Sequence, residues 1–278
     1  MLHEEDTFSG VKDYKIYYQK WIPDKPKAVI QLVHGFGEHS GRYGNVVDTV
    51  TPLGYAIYAD DHRGHGRSEG QRNYVDSFEQ YIEDEKKLFD IIRKENPDLP
   101  IFMLGHSMGS IIAVHFAAKH ESLLNGLIVS GVGNDVGGDV GGFMRFLAKV
   151  MSKLAPKLMV EQGDLSKYLS HDQEVVEAYN NDPNVNADKT SARLGAEMFK
   201  YFGQTPEIAS KLGLPVLVQA GGEDKLVVGA EKIEPMLNME DKEVHIYEGL
   251  YHEVYNESED LRKPVLEDLA NWLESQMK

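Results

Sequence analysis

Short apolar runs recur through the first half of the chain, each followed by a polar or helical stretch. Residues 14–22, YKIYYQKWI, alternate apolar and polar side chains and predict an amphipathic strand. AVIQLV at 28–33 and YAIYA at 55–59 are continuous apolar runs and predict buried strands. Over 76–96, DSFEQYIEDEKKLFDIIRKEN places Phe78, Ile82, Leu88 and Ile92 near helical spacing. Asp76 is the expected cap of that helix, Glu79 sits three residues on, and Pro97 stops it. IFML opens another strand at 101, GSIIAVHFAAKH (109–120) a helix and GLIVS (126–130) a strand. Short apolar strands alternating with helices predict a mostly parallel sheet covered on both faces.

The rhythm breaks at 132 and returns near 207. The intervening residues hold no convincing buried strand and read as an inserted helical cap, leaving 1–131 and 207–278 as the core. The insertion opens with VGNDVGGDVGG, which superficially matches a calcium-binding Gly/Asp repeat; such repeats work in stacked arrays, so a hinge is expected. FMRFLAKVMSKLAPKLMV follows, with Phe143, Phe146, Leu147, Val150, Met151 and Leu154 near helical spacing. That stripe predicts an amphipathic helix packed inward, with lysines on its other side. Beyond the cap, LPVLVQA (214–220) and EVHIYE (243–248) predict strands. A closing helix at 259–277 sets Leu261, Val265, Leu269, Trp272 and Leu273 on one side. Pro264 is tolerable there because it falls in the first turns.

Charge narrows the function. The 278 residues carry 45 acids against 29 bases, a net charge of −16, which excludes a phosphate-binding nucleic-acid surface. It also excludes charge-driven adsorption to anionic lipid, so any lipid contact has to be apolar. The absence of cysteine excludes disulfides, thiol catalysis and cysteine metal sites. MLHEEDTFSG has no apolar core and is not a signal peptide, and no run approaches the roughly twenty apolar residues that span a bilayer. A cytoplasmic location is expected.

One stretch stands apart. In IFMLGHSMGS a buried strand ends at Gly105, Ser107 sits between Gly105 and Gly109, and a helix follows. This is the G-x-S-x-G pattern in a strand–turn–helix context, where the serine takes a strained backbone and side chains two residues either side would collide. A serine hydroxyl is a weak nucleophile until a histidine takes its proton and a carboxylate holds that histidine. In this architecture the chain order is serine, acid, histidine. His34, His39, His62 and His65 precede Ser107; His115 and His120 lie on the next helix, His171 in the insertion, and His245 inside a strand. His252, in the loop after the last strand, is at the same end of the sheet as Ser107. The acid belongs after the preceding strand, where a glycine turn carries Glu223 and Asp224; spacing favours Asp224 only weakly. Two backbone N–H groups must meet the developing oxyanion. Met108 supplies one and Phe36, in the HG turn after 28–33, is the candidate for the other. His62 and His65 form a His-x-x-His pair on a Gly-rich loop, poor metal geometry that reads as support for the active face.

Taken together, HGFGEHSGRY, DHRGHGRSEG, GHSMGS, GGEDKLV and YEGLYHEVYNE resemble the monoacylglycerol lipases and lysophospholipases of the serine α/β-hydrolase fold, in order and rough spacing. The resemblance implies a helical cap between the sixth and seventh strands, Ser107 as nucleophile, Asp224 rather than Glu223 as the acid, and His252 as the base. It implies Phe36 and Met108 as the oxyanion hole, and Glu38, Arg42 and His106 around the alcohol end of the substrate. Two positions depart from the family pattern: Tyr255 stands where a second histidine is frequent, and Ser110 where glycine is usual.

The expected reaction is two-step acyl transfer on monoacylglycerol or a similar single-chain lipid ester, with no cofactor and no metal, and with transient membrane or micelle contact through the cap. A lysophospholipase or a general carboxylesterase on the same scaffold is the near alternative. A non-catalytic binding protein that kept the fold is the remote one.

Overall fold

The computed structural model describes residues 1–133, 135–136 and 142–278, with side chains described outside 134–147. Much of the Gly/Asp stretch expected to be a hinge, and the side chains of Phe143, Phe146 and Leu147, therefore lie outside the described residues.

Eight strands form the central sheet: β1 (Leu2–Ser9), β2 (Lys15–Ile22), β3 (Ala28–Val33), β4 (Tyr55–Asp60), β5 (Ile101–His106), β6 (Gly126–Ser130), β7 (Val216–Gly221) and β8 (Lys242–Tyr247). Their spatial order is β1-β2-β4-β3-β5-β6-β7-β8. β2 runs antiparallel to both neighbours, and the pairs from β4 to β8 are parallel. The continuous apolar runs of β3, β4, β5 and β6 are buried along their whole length, as strands covered on both faces must be.

The sheet begins earlier than the apolar pattern indicates. Residues 2–9 show no alternation because this edge strand keeps most side chains in water; it is held by backbone pairing to β2, Leu2 opposite Ile22 through Ser9 opposite Lys15. Glu4, Glu5 and Asp6 on that edge discourage pairing with another chain.

Helices cover both faces. In chain order they are α1 (Gly44–Val50), α2 (Glu79–Glu95), α3 (Met108–His120), α4 (Gly142–Leu154), α5 (Gln173–Asn181), α6 (Ala192–Ala209) and α7 (Glu259–Ser275). One face of the sheet packs α2, α3 and α6 through residues such as Phe78, Phe89, Ile111, Phe116 and Phe202. The other packs α1 and α7 through Val46, Val47, Val265, Leu269, Trp272 and Leu273. Burying each of these large apolar side chains contributes roughly 1.5–3 kcal/mol. Leu261, expected on the same side of α7, is instead 37% exposed in the first turn. The expected cap of α2 also fails: the helix starts one residue after Phe78, with no side-chain cap. The Asp76 carboxylate is taken by Lys12 Nζ and Tyr74 O–H, both at 2.7 Å.

Between β6 and β7, the sixth and seventh strands of the sheet, the described residues add no strand to it. They supply α4, α5, α6 and two small ribbons, Asp135–Val136 against Val227–Val228 and Met159–Glu161 against Lys189–Ser191. α6 runs unbroken across residue 206 to Ala209.

Candidate active site

Ser107 lies between β5 and α3 with φ 53° and ψ −118°. A non-glycine residue held there stores on the order of 1–3 kcal/mol of strain. A side chain at Gly105 would run into the backbone of Gly109, and one at Gly109 into the carbonyl oxygens of Val33 and His34. Glycine at both positions is thus what lets α3 sit against β3 and β5 while the chain makes the turn. The Ser107 N–H donates to the Ser130 carbonyl at 2.9 Å, tying the turn to β6. Ser110 uses its buried hydroxyl on the same frame, 2.8 Å from the carbonyls of both Gly105 and Ser130.

The loop after β8 brings His252 to this turn. Its Nδ1 lies 2.6 Å from Asp224 Oδ2, and the other Asp224 oxygen accepts the N–H groups of Leu226 and Val227 at 2.8 and 3.0 Å. Glu223, one residue earlier, is exposed. Burial lowers the His252 pKa, but the Asp224 carboxylate beside it outweighs that cost and the net shift is upward. For Asp224 burial raises the pKa, and His252 together with the Val227 and Leu226 N–H groups brings it below its ordinary value. The segment between β6 and β7 holds this loop: His252 N–H donates to the Tyr168 carbonyl at 3.3 Å and Glu253 N–H to that of Leu169 at 2.8 Å.

His106, beside Ser107, faces the His252 ring at a centroid distance of 4.8 Å, with its Nδ1 2.9 Å from Ser130 Oγ. Burial, then the neighbouring His252, pushes its pKa down to about 4, so it is neutral under working conditions. Gly131 makes room for both imidazoles; a side chain there would sit 2.7 Å from the His106 ring and 2.9 Å from that of His252.

The turn after β3 closes the third side. A side chain at Gly35 would come within 3.3 Å of Ser107 Cβ, which places the Gly35–Phe36 peptide against the serine. Phe36 and Met108 both line the cavity that Ser107 faces. His34 Nδ1–H donates to the Gly35 carbonyl at 2.7 Å, and His34 Nε2 accepts the His62 N–H at 2.9 Å. His62 Nε2–H returns a bond to the His34 carbonyl at 3.0 Å, with the two rings stacked at 3.9 Å. His62 does not work with His65 as a metal pair. Its Nδ1 sits 3.4 Å from Asp60 Oδ1 and 3.3 Å from Glu85 Oε1. Asp60, His62 and Glu85 come near enough together to ligate an ion, yet the imidazole already supplies positive charge there. Burial lowers its pKa, Asp60 and Glu85 raise it, and the net shift is strongly upward.

Glu38 and Arg42 belong to a buried network that also contains Glu253. Glu38 accepts the Gly35 N–H at 2.6 Å, the Tyr43 O–H at 2.7 Å and Arg42 Nη1 at 2.7 Å. Arg42 meets Glu253 with two parallel bonds of 2.5 and 2.7 Å. Glu253 is the residue that sequence reasoning missed; a partner 211 positions away leaves no local signal. Tyr255, three residues past His252, points away from all of this: it is buried, and its O–H donates to Gln219 Oε1 at 2.6 Å.

Several of these groups share one cavity of about 470 Å³, an ordinary volume for a small-molecule site. Ser107, His252, Phe36, Glu38 and Glu253 line it, and Ile111, Leu165, Leu169, Met198, Phe202 and Leu226 give it apolar walls. Most of those wall residues come from the segment between β6 and β7, α6 included, where periodicity predicts helices but not which residues reach the site.

Comparison with known proteins finds relatives along most of the chain. Residues 24–259 match the family described as "Serine aminopeptidase, S33". The chain is 37% identical to the monoacylglycerol lipase of Mycolicibacterium smegmatis across 98% of both proteins. It is 32% identical to phospholipase YtpA of Bacillus subtilis, across 86% of this chain and 93% of that one. The crystal structure of Paleococcus ferrophilus monoacylglycerol lipase superposes with a TM-score of 0.84 at 30% identity, covering 94% of this chain and 99% of that one. The chain therefore belongs to the monoacylglycerol lipase family of serine α/β-hydrolases.

Proposed function

We propose that the protein hydrolyses monoacylglycerols to glycerol and fatty acid through an acyl-enzyme on Ser107. The observation that carries this reading is the cavity itself: Ser107 and His252 line it together with apolar walls and the carboxylates of Glu38 and Glu253, as an ester with one acyl chain and a hydroxylated alcohol requires.

Ser107 attacks the ester carbonyl while His252 Nε2 takes the hydroxyl proton. Asp224, already bonded to His252 Nδ1, stabilises the imidazolium that results. The N–H groups of Phe36 and Met108 receive the oxyanion; losing one such donor typically costs on the order of a hundredfold or more in rate. His252 then protonates the leaving glycerol oxygen, water enters, and the reverse sequence frees the fatty acid. The segment from 132 to 206 acts as the cap over this site, and its walls hold the acyl chain.

The cap also offers a route to lipid. No helix of the described residues is long and apolar enough to cross a membrane. Leu154, Leu158 and Val160 are nonetheless exposed on the same stretch of chain as the exposed Lys149, Lys153 and Lys157, and Val160 lines the cavity. We place transient contact with a micelle or bilayer on this rim.

Labelling by a fluorophosphonate probe, lost in Ser107→Ala, tests the nucleophile. Turnover of monoacylglycerol, lysophosphatidylcholine and p-nitrophenyl esters of several lengths tests the substrate. Labelling that survives without the Ser107 hydroxyl defeats the assignment.

A further inference from the structure

Arg42 is bonded to both carboxylates that line the site, and its terminal nitrogens are taken up by the protein. Glu253 takes both of its terminal nitrogens, Glu38 takes one of them again, and the Tyr179 ring stacks 4.6 Å from the guanidinium carbon. Glu253 Oε2 also accepts Asn256 Nδ2 at 3.0 Å. Both carboxylates line the cavity, whereas Arg42 lies behind them, and no lysine or arginine among the described residues lines it. Burial works against the Glu253 charge, but Arg42 outweighs it and holds the acid at about 2, so it stays ionised under any working condition. Two carboxylates around one guanidinium leave the pocket net negative.

We infer that Glu253 is a specificity-determining residue: by withholding Arg42 from the substrate, it shuts out ester alcohols that carry phosphate and admits neutral alcohols that carry hydroxyl groups. The inference rests on the ester hydrolysis proposed above. It also separates two activities that the relatives leave open, one of them being named a monoacylglycerol lipase and another a phospholipase.

The chemistry is a matter of donors and acceptors. A carboxylate offers roughly four acceptor positions. Glu38 uses three, on Gly35, Tyr43 and Arg42. Glu253 uses three as well, two on Arg42 and one on Asn256. Each keeps about one position for a donor from the cavity, and the free hydroxyls of a glyceride are donors. A phosphate brings acceptors and negative charge to the same place. It would be stripped of water against two carboxylates with no lysine or arginine among the described residues lining the cavity, a repulsion of the kind that sets specificity.

The test measures kcat/KM on 1-oleoylglycerol, 1-oleoyl lysophosphatidate and p-nitrophenyl butyrate, in the wild type, Glu253→Gln and the double variant Glu253→Gln with Arg42→Gln. Wild type is expected to favour oleoylglycerol over lysophosphatidate by a hundredfold or more. Glu253→Gln should raise lysophosphatidate relative to oleoylglycerol by roughly ten- to hundredfold, the span of one charge-assisted hydrogen bond. The double variant should lose that gain, because the freed guanidinium is the phosphate's partner. A merely structural role would lower all three substrates together and leave the ratio where it was; that result overturns the inference, as does a wild type that takes both lipids equally. Should Glu253→Gln fail to fold, inhibition of wild-type p-nitrophenyl butyrate hydrolysis decides: glycerol 3-phosphate must inhibit at least about tenfold more weakly than glycerol, and equal or stronger inhibition overturns it. A wild type inert on p-nitrophenyl butyrate would overturn the ester-hydrolase reading itself, and this inference with it.

Discussion

Two buried imidazoles among the described residues are gripped by carboxylates, and only one of them lines the cavity that Ser107 faces. His252 pairs with Asp224 at 2.6 Å and shares its space with Ser107. His62 is sealed between Asp60 and Glu85 at 3.4 and 3.3 Å, with its other nitrogen spent on the His34 carbonyl. In both, burial pushes the imidazole pKa down and carboxylates push it up and win. The pairing is therefore a general way to hold a buried ring. It becomes chemistry only where the second nitrogen opens onto a nucleophile and a substrate. His62 instead stiffens the turn that presents Phe36.

The sharpest way to break this contrast is to remove each ring in turn. His252→Ala is expected to lower kcat/KM on a monoacylglycerol by ~10⁶, the loss typical of a triad base, and to cost less stability than His62→Ala because Asp224 keeps the Leu226 and Val227 N–H groups. His62→Ala leaves two buried carboxylates facing each other and should cost roughly 3–5 kcal/mol of stability. The folded fraction should keep its activity within about tenfold, since no proton of the reaction passes through His62. Melting curves and initial rates on both variants check it. A His62→Ala protein that melts normally yet has lost as much activity as His252→Ala would erase the distinction.

Next in size is Asp224→Asn, expected to cost ~10⁴ in kcat by leaving the ring in the wrong tautomer. It should also move the pH profile. The free enzyme's acidic limb reports His252 losing its proton, and the Asp224 charge places that limb above the usual histidine value. Asparagine removes the charge, so the limb moves to lower pH; a limb that stays put would mean another group titrates there. Stability follows the same linkage. His252 binds its proton more tightly folded than unfolded, so its contribution is full below 6.5 and fades as pH rises through the folded value. Asp224, held below 3.8, contributes above that value and is lost as pH falls through its lower folded one.

What the sequence made legible follows from how local each cause is. The elbow could be read because its constraint lies within five residues: Gly105 and Gly109 are required by clashes with backbone that any strand–helix turn brings close. Buried strands could be read because both faces are covered. β1 could not, because an edge strand held by backbone pairing leaves no side-chain period. Spacing separated Asp224 from Glu223 only weakly and resemblance chose between them; in three dimensions one points at His252 and the other at water. Glu253 was invisible for the opposite reason. Its partner Arg42 is 211 positions away, and an acid beside a histidine has no pattern of its own. Leu154 fits the apolar stripe of α4 but is 78% exposed at its end, where period alone cannot tell the packed face from a free tip.

The smallest effect is the most discriminating, because it asks how the sealed cluster keeps its charge. Burial, then the Asp60 carboxylate, pushes Glu85 up to about 8, so at neutral pH the folded protein holds a proton there that the unfolded chain has released. Glutamine has the shape of the protonated acid. Its amide N–H can serve Asp60 and its carbonyl can accept Gln31 Nε2, which now lies 2.6 Å from the Glu85 carboxylate. Glu85→Gln should therefore match wild type in stability well below pH 4.5, where both folded and unfolded Glu85 are protonated. Above that, wild type must keep a proton that solution increasingly withholds, so the variant gains on it as pH rises, and the gap stops widening near pH 8. Urea unfolding at several pH values measures the gap directly. A gap that narrows with pH would mean Glu85 is ionised when folded, and that two full charges, rather than one, hold His62 under the oxyanion turn.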